Sequence, residues 1–597
     1  MDKETVFTRR SFVLGGIQAT LMATVVGRMF YLEVSSHKHY QKLSDKNRIH
    51  SRLTLPIRGL ITDRQGKVLA SDHNIYRAVM IRDEADDWQD CLRQVQPILN
   101  LTDDEIDKIA LSIKKKPRFM PVSIKENLTW AEVTSLELKL PDIWGVFIET
   151  GRNRYYPFPF ETCHLLGYVA TPSDKDLDGD PLLEQPGFKL GKSGFEKYLE
   201  PDLRGMPGVK QVEVNAYRRI VRELSTSDSI QGKEQKLALD FDLQQTLYQR
   251  LSQEESGAAV VLDIASGGVL AYVSTPGFDS NLFVNGIPKK DWGDLLNHPR
   301  HALINKPISG QYAPGSTFKM VTALAALEKG VVNPHTTVSC CGHTLLGSHK
   351  FHCWTWKTGG HGSVDLVRAI ATSCDIYFYH IAGLVGIDAI ADMAKRLGLG
   401  ATTGVEIPGE KSGLVPTTEW KKQRFKSKWT MGESYNAGIG QGYTLATPLQ
   451  LAVMTARLAS GKMVEPSLLA FDQKDFSALN VNPDHLKLIQ LGLDRASNEG
   501  GGTSFRHRIN TPGMEMAGKT GTTQVRRITE QDRAMGLANP ANRPWHHREH
   551  ALFVGYAPVH APRFATAVLI EHGGSGGRVA APVGRDVLLT AQQILTP

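Results

Sequence analysis

Tyr312-Ala313-Pro314-Gly315-Ser316-Thr317-Phe318-Lys319 decides how this chain is read, together with Ser373-Cys374-Asp375 and Lys519-Thr520-Gly521-Thr522 downstream. The first stretch is a turn that opens an apolar helix, predicted over residues 317–328. A serine at that position faces free backbone N–H groups and the positive end of the helix dipole, which favour developing negative charge. Lys319 stands three residues on, one turn away on the same face. A lysine desolvated there can have a lowered pKa and accept the serine proton. Taken alone, Ser316 reads as a helix cap and Lys319 as a surface lysine. The two later motifs change that.

Ser373 and Asp375 can reach one cleft from a loop between helices. Ser373 is suited to relay a proton between Lys319 and a leaving amine. Asp375 either holds Lys319 or orients a substrate amide, and a plain helix cap is the bland alternative. A strand carrying Lys519, Thr520 and Thr522 can bind a substrate carboxylate, and Gly521 lets a substrate backbone approach closely. The N–H groups of Ser316 and Thr522 would form an oxyanion hole. A second Lys-Thr-Gly, at 357–359, precedes Ser373 and reads as a loop. The order and spacing of the three motifs point to acyl transfer through a serine nucleophile.

Working outward, the helical patterns run over residues 317–328, 364–384 and 448–459. Residues 258–263 and 268–273 flank a Ser-Gly-Gly turn and predict a hairpin. Strand patterns return at 514–517, 552–556 and 565–571. Strands at both ends with helices between them predict an α+β domain with an antiparallel sheet over residues 236–597. Residues 33–225 read as a separate module of mixed α/β character. It has a hairpin over 58–70 and amphipathic helices over 102–140, the first started by Thr102 ahead of Glu105. Gly205-Met206-Pro207-Gly208 and the polar stretch 225–234 read as the boundary between the two.

Residues 11–27 carry no charge, which predicts a membrane anchor over 11–32 after a cytoplasmic tail of residues 1–10. Thr8-Arg9-Arg10-Ser11-Phe12-Val13 also resembles a twin-arginine signal. The lack of a small-x-small cleavage site favours retention. Lys38, Lys42, Lys46 and Arg48 follow the span, so flanking charge leaves its orientation open. The 597 residues are 41 % hydrophobic and 22 % charged with a net charge of +7. That mild excess suits an anionic wall polymer or a membrane surface, and is too diffuse to argue for nucleic acid.

The chain resembles the class B penicillin-binding proteins, of the elongation type. Beyond the catalytic motifs, the resemblance rests on Arg58-Gly59 through Asp63-Arg64, on Arg152-x-Arg154-Tyr155-Tyr156-Pro157, and on Gly191-x-x-Gly194-Phe195-Glu196. Asp240-Phe241-Asp242, Gly440-Gln441-Gly442 and Glu571-His572-Gly573-Gly574 also fit. The resemblance implies a serine β-lactamase/transpeptidase-like domain on an N-terminal pedestal or dimerisation-type module. It implies a D,D-transpeptidase that cross-links peptidoglycan stem peptides at D-Ala–D-Ala, needs no cofactor for its chemistry and is acylated by β-lactams. It implies a place in the bacterial inner membrane with the catalytic domain in the periplasm. The implied partners are a SEDS-type membrane glycosyltransferase and elongation scaffold proteins. Asp375 stands where many relatives carry asparagine. A carboxypeptidase, a β-lactamase or a non-catalytic penicillin sensor are the alternatives on the same fold.

Four of the six cysteines lie between 340 and 374, interleaved with histidines. Cys340, Cys353, His361 and Cys374 are the candidate ligands of a structural zinc, in a pattern that looks like one within the same relatives. A disulfide and unpaired buried thiols are the other readings.

Overall fold

The structure, a computed structural model, describes residues 9–35, 49–214, 220–469, 472–526, 535 and 542–595. Residues 1–8 of the expected tail, and Lys38, Lys42, Lys46 and Arg48, lie outside the described residues. The first helix, α1 (Arg9–Phe30), continues as a π-turn over Tyr31–Ser35, and the stretch Arg9–Val34 is long and apolar enough to cross a membrane. None of α1 is buried against protein. Its Thr20 and Thr24 hydroxyls donate back to the carbonyls of Gly16 and Thr20, both at 2.8 Å. Their polar groups are thus satisfied within the helix, as a hydrocarbon setting demands.

The N-terminal module holds strands β1 (Ile49–Thr54), β2 (Ile61–Thr62), β3 (Val68–Met80), β4 (Val122–Lys125) and β5 (Val146–Tyr155). Helix α2 (Asp103–Lys115) packs beside them, started by the Thr102–Glu105 capping box that the sequence announces. Strand β4 falls inside the stretch read as helical, where only four residues alternate. Two strands that the sequence reading does not announce, β6 (Gly208–Val214) and β7 (Ile220–Ser227), lie between and partly within the expected boundary stretches 205–208 and 225–234 and form a three-stranded antiparallel sheet with β1. Their polar residues hide the strand period, and their partner β1 lies far back in the chain. The next short strand, β8 (Gln235–Lys236), pairs in parallel with β2 and ties the module to the C-terminal domain.

Three of the sequence motifs in this module converge on one buried ion cluster. Glu196 accepts from Arg58 Nε and from Arg154 Nε, each at 2.7 Å, and is fully buried. Arg154 also donates to Gly59 O at 2.8 Å and pairs with Asp72 at 3.3 Å. Burial pushes the Glu196 carboxyl up, but Arg154 and Arg58 outweigh it and hold the carboxyl below its ordinary value.

The C-terminal domain is built on a five-stranded antiparallel sheet. Its strands are β9 (Gly257–Asp263), β10 (Val269–Thr275), β11 (Ala517–Thr523), β12 (His550–Ala557) and β13 (Phe564–Ile570), in the spatial order β10-β9-β13-β12-β11. These strands read as nearly unbroken apolar runs because both sheet faces are covered. On β9, Val260 and Leu262 face one hydrophobic cluster while Ala259 and Val261 face the other. Helices α3 (Phe241–Leu251) and α10 (Ala581–Leu595) cover the second face. The first face carries α4 (Lys319–Glu328), α5 (Leu366–Thr372), α6 (Asp375–Val385), α8 (Pro448–Ser460) and α9 (Pro483–Asn498), and α7 (Thr418–Phe425) lies at its rim. The domain is α+β, and β11, which bears Lys519-Thr520-Gly521-Thr522, is an edge strand.

Candidate active site

Ser316 sits on a 3-10 turn, Gly315–Phe318, which runs straight into α4 at Lys319. The predicted helix therefore starts two residues later than its apolar pattern, with a tighter first turn. Gly315 has φ +55, and a Cβ there would stand 2.7 Å from Thr523 Oγ1. Its N–H donates to Gly440 O at 2.8 Å, and Thr523 Oγ1 donates to Ala313 O at 2.8 Å. The Ser316 turn is thus fastened on one side to the edge strand and on the other to the Gly440-Gln441-Gly442 loop. Among the described residues, no hydrogen bond engages the Ser316 hydroxyl, which is half-buried.

The helical pattern over 364–384 is two helices, because Ser373 takes a left-handed conformation (φ 57, ψ 45) between α5 and α6. That break turns Ser373 and Asp375 toward Lys319. The Lys319 ammonium is fully buried and donates to Ser373 O at 3.0 Å, Ser373 Oγ at 3.1 Å and Asp375 Oδ1 at 2.7 Å. Burial leaves the Asp375 carboxyl above its ordinary value, against the pull of Lys319. Its other oxygen accepts the Trp354 N–H at 3.0 Å. Asp375 therefore holds Lys319 and also clips the 353–361 loop to the site.

On β11, Lys519 is fully buried and Thr520 nearly so, while Thr522 is exposed. Lys519 Nζ donates to Thr520 O at 3.0 Å, and no carboxylate lies within ion-pair distance of it among the described residues. Burial drives this ammonium well below its ordinary value; Lys319 adds to the effect and Asp375 opposes it. A Cβ on Gly521 would meet Thr317 Cγ2 at 3.0 Å and Pro314 O at 3.2 Å, so only glycine lets the strand lie this close to the Ser316 turn. Thr522 Oγ1 accepts the N–H of Gly576 at 3.2 Å. The structure thus gathers Ser316, Lys319, Ser373, Asp375, Lys519, Thr520, Gly521 and Thr522 into one region. The second Lys-Thr-Gly lies in a 3-10 turn, Trp356–Thr358.

Sequence reasoning passed over Trp354, Thr523 and Gly315. Trp354 acts through its backbone, which leaves no side-chain signal. Thr523 borders a quoted motif and Gly315 lies inside one as a turn residue with no further role given, so adjacency was the available clue. Tyr312, which donates to Glu571 at 2.8 Å, links two stretches that look unrelated in the sequence.

Beside the site, one ligand atom from each of Cys340, Cys353, His361 and Cys374 lies within 4.8 Å of the others. His361 Nδ1 is 3.6 Å from Cys340 Sγ and 3.4 Å from Cys353 Sγ, and the buried His361 Nε2 has no hydrogen-bond partner. All six cysteines are free thiols. A tetrahedral zinc with bonds of about 2.3 Å to sulfur sets its ligands roughly 3.5–4 Å apart, so three thiols and an imidazole at these separations fit it. Cys91 and Cys163 are buried elsewhere.

Residues 257–589 match the penicillin binding protein transpeptidase domain, and residues 53–237 match the penicillin-binding protein dimerisation domain. The peptidoglycan D,D-transpeptidase MrdA of Acinetobacter baumannii is 37 % identical, over 99 % of this chain and 89 % of that protein. The penicillin-binding protein PBP2 of Helicobacter pylori, solved in complex with MreC, superposes with a TM-score of 0.81 at 27 % identity, over 92 % of this chain and 100 % of that one. A chain from a structure of a peptidoglycan synthase complex that coordinates polymerization and crosslinking superposes with a TM-score of 0.70 at 29 % identity, over 98 % and 99 % of the two chains. Matched along nearly its whole length and carrying the three motifs side by side, the chain belongs to the penicillin-binding protein family and, within it, to the penicillin-binding protein 2 group.

Proposed function

We propose that this protein is a membrane-anchored D,D-transpeptidase that cross-links peptidoglycan stem peptides during cell elongation. The observation that carries the reading is the buried Lys319 ammonium held by Ser373 and Asp375, one helical turn from Ser316 and beside an edge strand bearing Lys519. In this reading the donor peptide lies along β11, where Lys519 and Thr520 receive its terminal carboxylate and Thr522 its backbone. With one ammonium proton of Lys319 passed to Asp375, 2.7 Å away, Ser316 Oγ attacks the penultimate D-Ala carbonyl carbon and its own proton goes to the Lys319 amine so freed. The carbonyl oxygen gains the negative charge opposite the N–H groups of Ser316 and Thr522. The C–N bond breaks, terminal D-alanine leaves with a proton relayed through Ser373, and the acyl group stays on Ser316. An amine on a neighbouring stem then attacks the ester and releases the serine. A β-lactam enters the first half of this sequence and halts there.

Three thiols and one imidazole would hold a structural zinc, which supplies rigidity to the loop whose Trp354 N–H positions Asp375. The chemistry itself needs no cofactor. The apolar helix α1 supports an inner-membrane anchor over residues 11–32, with the pedestal over 33–225 and the catalytic domain over 236–597 in the periplasm. Solved neighbours bound to MreC or within a peptidoglycan synthase complex support scaffold proteins and a SEDS-type glycosyltransferase as partners. Incubation of the full chain in detergent with penicillin, followed by intact and peptide mass spectrometry, tests the reading. A long-lived adduct on Ser316 that is absent from Ser316→Ala is expected. Rapid turnover of the drug would make the protein a β-lactamase, and an intact drug with no adduct would remove Ser316 as nucleophile.

A further inference from the structure

Residues 421–428, Lys-Lys-Gln-Arg-Phe-Lys-Ser-Lys, carry five cations, and none of them is used by the mechanism above. Lys421 is buried and ion-paired with Glu433. Lys422, Arg424, Lys426 and Lys428 are exposed and have no acidic partner among the described residues. The nearby acids are engaged elsewhere. Glu433 is taken by Lys421 and by the Thr430 capping box, and Glu419 accepts from Gln423 at 2.9 Å.

Cations in the last turn of a helix complement its dipole, which accounts for Lys422 and Arg424 at the end of α7. It does not account for Lys428, outside the helix, nor for Lys426. Lys426 occupies the C-cap in a left-handed conformation (φ 54, ψ 30), where glycine or asparagine is the residue of least strain. A cation kept at a strained position marks a use for the charge.

The cations border an aromatic shelf. Tyr443 lies 5.1 Å from Trp420 and 5.2 Å from Phe425, ring centre to ring centre, and Phe425 is 48 % exposed. The Lys421 ammonium stands 5.6 Å from the Tyr443 ring and locks the cluster from beneath. Tyr443 directly follows Gly440-Gln441-Gly442, whose Gly440 carbonyl holds the nucleophile turn and whose Gln441 amide reaches Thr522 O at 3.5 Å. Shelf and nucleophile turn therefore share one loop.

We propose that this surface is a docking site for an anionic glycan–peptide strand of peptidoglycan, outside the cleft that holds the reacting peptide. The inference rests on the peptidoglycan reading above. The exposed Phe425 ring, with Trp420 and Tyr443 half-buried beside it, suits the C–H face of a sugar ring, and the four unpaired cations suit the free carboxylates of neighbouring stems. Joined through Tyr443 to the loop that fastens Ser316, the surface would hold the polymer while one stem enters the site.

The test uses the full chain in neutral-lipid nanodiscs and fluorescent, soluble, uncross-linked peptidoglycan strands. The variant carries Lys422→Gln, Arg424→Gln, Lys426→Gly and Lys428→Gln, with glycine matched to the left-handed backbone. Strand affinity is expected to fall at least about tenfold and to lose most of its salt dependence, while penicillin acylation changes by less than about twofold. Strand binding equal to the unaltered protein, or absent from both, overturns the proposal. So does a variant that loses capture of phosphatidylglycerol vesicles but keeps the strands, since the surface would then serve lipid. Loss of penicillin acylation in the unaltered protein would sink the transpeptidase reading instead, and the two failures are separable.

Discussion

Lys319 has no exposed surface, and its three donors end on Ser373 and Asp375. A buried ammonium is tolerable only beside an anion, so Asp375→Asn should cost stability as well as rate. Removing one partner of a buried pair costs roughly 3–5 kcal/mol. Scanning calorimetry and penicillin acylation kinetics check this; an unchanged melting temperature would mean that Asp375 is not the compensating charge. Gly440 gives a second prediction at this scale. Its φ is +71, and a Cβ would stand 2.3 Å from Gly315 O. Gly440→Ala should therefore displace the Ser316 turn and slow acylation at least tenfold, with a smaller loss of stability, which stopped-flow acylation beside thermal unfolding will separate. The residue types of the site were legible in the sequence, since Ser316, Lys319, Ser373 and Lys519 each carry a side chain with one obvious chemistry. The partner of Lys319 was not, because a choice between holding a lysine and orienting an amide is a matter of distance.

At the scale of elements, the 340–361 loop and the N-terminus of α6 are joined through Cys374, next to Asp375. Cys353→Ser should release bound zinc, measured by elemental analysis at about one ion per chain before and near none after. It should also lower the melting temperature and slow acylation without abolishing it, because Ser316 itself is untouched. Normal stability and rate in a metal-free preparation would end the zinc reading. The buried Glu196 cluster makes a parallel case in the pedestal. Glu196→Gln leaves Arg58 and Arg154 short of their shared anion, and a loss of roughly 3–5 kcal/mol is expected in thermal unfolding. In the sequence these residues appeared as three separate family motifs with no stated role. The pairing of β2, β3 and β5 sets Arg58 near Arg154, the short helix Gly194–Tyr198 brings Glu196 between them, and no local pattern encodes that meeting.

Across the whole molecule, the seam between pedestal and catalytic domain is buried and largely apolar, with a few polar groups sealed into it. His164 donates from Nε2 to Ala302 O at 2.7 Å, and Asn305 donates to His164 O at 2.7 Å. Burial pushes the His164 imidazole down to about 3 and His550 down to about 4, the latter aided by His572. Both are neutral in the folded state at pH 7. As pH falls below about 6.5 the unfolded chain takes up protons that the folded chain refuses, so each site removes about 1.4 kcal/mol of stability per pH unit until its own folded value is reached. The melting temperature should drop steadily from pH 6.5 towards 4, and His164→Gln should flatten that slope; a slope unchanged by the substitution would place the acid sensitivity elsewhere. By itself the sequence determined the long apolar helix at the N-terminus, the antiparallel hairpin of β9 and β10, the capped start of α2 and the identities of the reactive groups, because periodicity, capping and side-chain chemistry act over a few residues. The tertiary structure alone decided the pairing of β6 and β7 with β1, the break at Ser373, the clip from Trp354 to Asp375 and the shared anion of the pedestal. Each of those depends on groups far apart in the chain, and burial sets their energies only once packing has excluded water.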